Sequence, residues 1–186
     1  MFSKVLVAVA FVLGLTVQAN AHAVIIPVLG VAGTAVRADV QRPTTAAPCG
    51  TTNIAANLNN STSVAVGASG VFSVTVQNFN GGQDGSRQVT ANVDTTAVGK
   101  TFVAATVTQN GDLAPTNVGT QVVTVQLPSG IKCTGGTSKN LCLMSFKTAG
   151  NFGNCVVVKQ TAATKRDVGA VGSRAARALK DADESM

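Results

Sequence analysis

Residues 71–77 read Val-Phe-Ser-Val-Thr-Val-Gln, and this run decides the fold class. Phe72, Val74 and Val76 alternate with Ser73, Thr75 and Gln77, the period of two that turns one side of a β-strand to a core and the other to water. The pattern recurs along the chain. Val89, Ala91 and Val93 alternate with Thr90, Asn92 and Asp94, and Val123, Val125 and Leu127 alternate with Thr124 and Gln126. Cys142, Met144 and Phe146 share a face against Leu143 and Ser145. Turn signals fall between the runs: Gly67 to Gly70, Asn80-Gly81-Gly82, Asn110-Gly111-Asp112, Pro128-Ser129-Gly130 and Asn151 to Asn154. Many short strands at this spacing predict an all-β chain folded as an antiparallel immunoglobulin-like β-sandwich. His22 to Leu29 reads as the first strand and Val156 to Gln160 as the last. Composition agrees: after residue 21, Val, Thr and Ile supply 24, 21 and 4 residues, the β-branched set that suits a pleated, half-buried surface.

Residues 1–21 read as a secretory signal peptide. Lys4 supplies a positive start, Val5 to Val17 an apolar run, and Ala19-Asn20-Ala21 an A-x-A cleavage site. The run is shorter than the roughly 20 residues a spanning helix needs, and no later segment reads as a transmembrane span. The expected protein is secreted, extracellular or wall-associated, with a β-sandwich domain over 22–163. From residue 164 to 186 a basic and acidic tail follows, read as a short helix or a mobile segment. It carries a dibasic pair, Lys165-Arg166, that secretory-pathway proteases cut or that stands as two solvated charges.

Four cysteines in a secreted chain predict two disulfides. Cys133 and Cys142 flank a Gly-rich turn, Thr134 to Asn140, which reads as a hairpin that sets them opposite each other. Cys49 is then left to Cys155. The absence of C-x-x-C argues against zinc or redox use. Pro43 to Asn60 reads as a long loop, and its end carries two overlapping glycosylation sequons at Asn59 and Asn60.

The chemistry available is narrow. The chain has 12% charged residues, one His and 8 acidic side chains, with neither Trp nor Tyr. Its net charge is +6, or +5 once Lys4 leaves with the leader, which favours acidic walls, glycans or membrane surfaces. The basic residues are dispersed and lack interleaved aromatics, so no nucleic-acid partner is expected. Nothing marks a nucleophile–histidine pair or two paired carboxylates, so hydrolysis is disfavoured. Asn80 to Arg87 lacks the helix and the Gly-Lys-Ser/Thr ending of a phosphate cradle and reads as a strand-to-strand loop. Cleavage after Ala21 would leave His22, the sole histidine, at the new N-terminus. Its amine and imidazole form a nitrogen chelate suited to copper, with Asp84, Asp39 or Asp94 as oxygen donors. The alternative is a histidine that merely follows a cleavage site.

Several segments carry a resemblance. They are His22-Ala23-Val24-Ile25-Ile26, Phe79 to Gly85 with Asn92-Val93-Asp94, Leu127 to Gly136, Cys142-Leu143-Met144, and Gly150-Asn151-Phe152-Gly153-Asn154-Cys155. In that order they resemble the fungal Egh/MAS-type family of secreted appressorium proteins, over most of the chain but not the tail. The resemblance implies a cell-surface or effector-like virulence protein of infection-structure formation, with no catalytic activity to carry over. It implies a binding or structural role at the fungal wall or a host surface polysaccharide. A looser similarity is to copper-dependent polysaccharide monooxygenases. There only His22 matches, and the second copper-binding histidine of those enzymes has no counterpart here. Phe79 and Phe152 stand in for sugar-stacking aromatics only if exposed.

Overall fold

A computed structural model describes residues 22–161. The expected leader (1–21), the tail and Lys165-Arg166 lie outside the described residues. Eight strands form: β1 (Ala23–Ile26), β2 (Ser63–Val66), β3 (Val71–Asn78), β4 (Val89–Asp94), β5 (Val103–Gln109), β6 (Gly119–Gln126), β7 (Leu141–Thr148) and β8 (Gly153–Gln160). A short helix, α1 (Ile54–Asn57), interrupts the loop expected over 43–60, and the side chain of Asn53 caps it by accepting the Ala56 N–H at 3.1 Å.

The expected pair of separate antiparallel sheets is not what forms. One eight-stranded sheet runs β1-β3-β6-β5-β4-β7-β8-β2 and curls into a half-barrel. β5 causes the difference. Its residues Val103 to Ala105 pair with β4, while Thr106 to Gln109 pair with β6 across a register shift. One strand therefore serves both layers and removes the edges that a two-sheet sandwich would have there. The set is also not wholly antiparallel, since β2 lies parallel to β8. β1 ends before Pro27, which has no N–H to give a ladder, so it is shorter than expected.

The alternation places the core as anticipated. Phe72, Val74, Val76, Val123 and Val125 point into the curl and meet Val89, Ala91, Val93, Cys142, Met144, Phe146, Val156 and Val158 from the opposite layer. β7 and β8 are buried on both faces. Leu141, Leu143, Cys155 and Val157 pack outward beneath Leu29, Cys49, Ile54, Leu58, Ala97 and Phe102. The 27–62 segment is thus a cover on the second layer. A disulfide between Cys49 and Cys155 fastens it.

The other disulfide joins Cys133 to Cys142, although the expected hairpin is reduced to one bridge, Gly135 with Leu141. Residues 133–136 lean on the β4–β5 connection instead, where the Thr134 N–H reaches the Thr95 carbonyl at 2.8 Å. β1 and β8 close the curl without pairing as strands. The Asn154 side chain accepts the Ile25 N–H at 2.8 Å and donates to the Ile25 carbonyl at 2.8 Å. A side-chain amide here satisfies both backbone groups of a buried edge residue.

Candidate functional site

Two places gather chemistry-bearing residues. The first is a corner beside the start of β1. His22 is held there because its carbonyl accepts the Phe79 N–H at 2.8 Å. Its ring stands edge-on to Phe152 with centroids 4.9 Å apart, and Arg42 lies over the same Phe152 ring at 4.3 Å. Arg37 lies over Phe79 at 5.6 Å and donates to the Phe79 carbonyl at 2.6 Å. Phe152 is buried and so is no sugar platform.

Asp84, singled out from sequence only as one of several acidic candidates, is the one that arrives at His22. Its Oδ2 is 3.9 Å from His22 Nε2. Asp39 instead caps its own turn through the Val36 N–H at 2.7 Å, and Asp94 is used elsewhere. Two glycines bring Asp84 there. A Cβ on Gly85 would overlap the Asn80 carbonyl, and one on Gly150 would sit 2.7 Å from the Asp84 carbonyl. The 80–85 loop therefore packs backbone against backbone.

A buried amide holds the loop from below. Asn78 donates to the Asn80 and Asn117 carbonyls at 2.6 and 2.9 Å and accepts from Arg87 Nε at 3.1 Å. Arg87 itself points inward, so the Asn80–Arg87 segment is a braced loop, in keeping with the sequence reading, and its cation is spent internally.

Burial holds the His22 pKa below its ordinary value; Asp84 opposes this, and Arg37 and Arg42 reinforce it. The imidazole is thus favoured neutral, with a lone pair available to a metal. Its Nδ1 and the Oδ1 of Asn80 are buried without hydrogen-bond partners. Among the described residues no group of three or more His, Cys, Asp or Glu side chains is placed to hold a metal, so this corner offers only His22 and Asp84. Arg42, Phe152 and Asn80 were not legible as its neighbours, because all three arrive from loops distant in sequence.

The second place is a trough on the outer face of β4 and β7, a hollow of about 400 Å³. Its floor follows from the strand register, which sets Thr90 beside Lys147 and Asn92 beside Ser145. One wall is the 43–48 segment, kept in place by the Cys49–Cys155 disulfide and by the Ser145 hydroxyl, which donates to the Pro48 carbonyl at 2.6 Å. The other wall is Lys100 and half-buried Phe102.

Asp94 builds that wall. It is buried, and its carboxylate accepts from Thr96 N and Oγ1 at 2.9 and 2.7 Å, Gly99 N at 2.8 Å and Lys100 N at 3.1 Å. Burial alone would raise its pKa, but these hydrogen bonds outweigh it and hold the carboxyl below the ordinary value. A second hollow of about 370 Å³ adjoins the first and shares Thr90 and Lys147 with it. Sequence reasoning missed the trough; the outward Thr90 and Asn92 of an alternating strand were its only visible part.

Asn59 and Asn60 are both exposed in the turn after α1. The Asn59 amide oxygen accepts the Thr137 N–H at 2.8 Å.

These features define a disulfide-stapled all-β protein with a histidine–carboxylate corner and a cationic trough. A family model described as Egh16-like virulence factor matches residues 27–153, more than half of the chain. The chain belongs to that family, in agreement with the resemblance carried by its loops. The matched span includes Asp84 and both trough lysines. No curated protein matches the chain. Among the described residues no helix is long and apolar enough to cross a membrane. The virulence-factor family and the two disulfides are consistent with a secreted protein.

Proposed function

We propose that this protein is a secreted fungal virulence-associated protein of infection-structure formation. It acts without catalysis by binding polysaccharide at the fungal wall or the host surface. The observation that carries the reading is the trough on β4 and β7. It is concave, lined by hydroxyl and amide side chains with one half-buried aromatic, and pre-ordered by Asp94 and a disulfide-fastened wall. Polar side chains fixed before binding lose little entropy when a sugar docks. Sugar hydroxyls match Thr90, Asn92 and Thr44, and a ring face matches Phe102. The leader of residues 1–21 and a glycan on Asn60 fit the same extracellular setting. The test is a pull-down of the secreted protein on insoluble fungal wall and on plant cell-wall material. Retention on either is expected, and failure to partition onto both would sink the reading.

A second reading has its own observation, the buried and unpartnered Nδ1 of His22. After cleavage at Ala21 the free amine and this nitrogen would chelate one copper ion, with the Asp84 carboxylate 3.9 Å from the ring's other nitrogen, Nε2. Calorimetric titration with copper(II) on protein whose N-terminus is sequenced as His22 tests it. One equivalent should bind, and His22→Ala should abolish binding; unchanged stoichiometry in that variant refutes copper use.

A further inference from the structure

We infer that the trough selects acidic polysaccharide, a chain whose sugars carry carboxylates, with Lys100 and Lys147 as the residues that read the charge. This rests on the polysaccharide-binding reading above and names its ligand class.

Three observations converge. Lys100 and Lys147 are exposed and line the hollow from two different elements, one in the wall from the β4–β5 connection and one in the floor from β7. The linings of both adjoining hollows contain no Asp or Glu side chain. The nearby carboxylate, Asp94, is buried and bound by four donors, so it does not draw either ammonium away by hydrogen bonding. The cations thus face the hollow unopposed.

The shape gives the rest. Two hollows sharing Thr90 and Lys147 make a run longer than one sugar, which suits a chain over a single anion. Hydroxyl, amide and aromatic groups interleaved with cations match a uronate, which presents hydroxyls, a ring face and a carboxylate. A flat lipid surface cannot enter a concavity walled by the 43–48 segment.

The experiment is affinity electrophoresis of the secreted protein in gels containing polygalacturonate, fully methyl-esterified pectin, or neutral β-glucan. Retardation by polygalacturonate, lost on esterification and weakened by added salt, is expected. Lys100→Gln and Lys147→Gln should each weaken binding about threefold and the pair about tenfold, in line with exposed ion pairs. Lys132→Gln, an exposed lysine away from the trough with the same charge change, should leave binding as it was.

Equal retardation by esterified and free polymer overturns the inference. So does a Lys132→Gln loss as large as those of the trough variants, or equal lysine-dependent capture by phosphatidylserine vesicles. Retention on neutral β-glucan without any on polygalacturonate overturns this inference while leaving the polysaccharide reading intact. Failure on every wall material overturns both.

Discussion

Asp94→Asn changes one atom type and removes one charge, yet it should cost a large share of the stability of a domain this size. In the native carboxylate Oδ1 accepts from the Thr96 N–H and hydroxyl, and Oδ2 accepts from the Gly99 and Lys100 N–H groups. An amide keeps one acceptor. Whichever way it turns, its NH₂ faces two donors, so two hydrogen bonds are lost and donor opposes donor. Hydrogen bonds to a charged group are worth about 1.5–3 kcal/mol each, and an unsatisfied buried donor adds to the loss. The expected cost is about 4 kcal/mol, against a typical total of roughly 5–15 kcal/mol. The chain has no Trp or Tyr, so urea unfolding should be followed by far-ultraviolet circular dichroism.

The pH dependence provides a second arm. The Asp94 pKa is lowered on folding, so the unfolded chain binds the proton more tightly. Its stabilisation is fully present above about pH 3.8, the unfolded value, and disappears as pH falls through the lower folded value. The gap between wild type and Asp94→Asn should close over that range. A cost under about 0.5 kcal/mol at pH 7, within ordinary surface-mutant noise, would refute the reasoning. A gap that does not narrow at all as pH is lowered from about 4 to about 2 would refute the part assigned to charge. The variant should also loosen Lys100, and polygalacturonate affinity should fall with it.

Other outcomes follow from the same structure. The Cys49–Cys155 and Cys133–Cys142 bonds span 106 and 9 residues, so replacing each pair by Ala should cost about 5 and about 3 kcal/mol on chain-entropy grounds; the reverse order in urea midpoints would contradict the account. Gly85→Ala forces a Cβ onto the Asn80 carbonyl and should cost more than about 2 kcal/mol, whereas a neutral result would mean the 80–85 loop is not packed as described. Because His22 is the sole histidine, its imidazole titrates as one isolated nuclear magnetic resonance signal. In metal-free buffer it should titrate below 6.5, lower still in Asp84→Asn and higher in Arg42→Gln. Its folded pKa lies below the unfolded one, so the stability linked to it is present above about pH 6.5 and is lost on acidification. A titration midpoint at or above 6.5 would contradict the burial of this ring.

Local sequence was enough for six of the eight strands, because burial on one face imposes a period of two that a reader can count; β2 and β5 were not read, and β5 has no fully buried residue to mark such a period. Phe72, Val74 and Val76 needed no partner to declare their side. The cysteine pairing was legible as well, since a nine-residue separation left one choice near and one far. Sheet closure was not legible. Whether β5 belongs to one layer or two depends on where hydrogen bonds with β4 and β6 fall along it, and alternation carries no record of that. The same holds for the sites. His22 and Asp84 are 62 positions apart and meet because Gly85 and Gly150 let two backbones touch. Lys100 and Lys147 face one hollow because β4 and β7 are neighbours and Asp94 ties down the connection between β4 and β5. The sequence by itself settled which residues turn inward, a matter of solvent and side-chain polarity. Which outward residues stand together was decided by strand order and loop packing, long-range contacts that only the folded chain possesses.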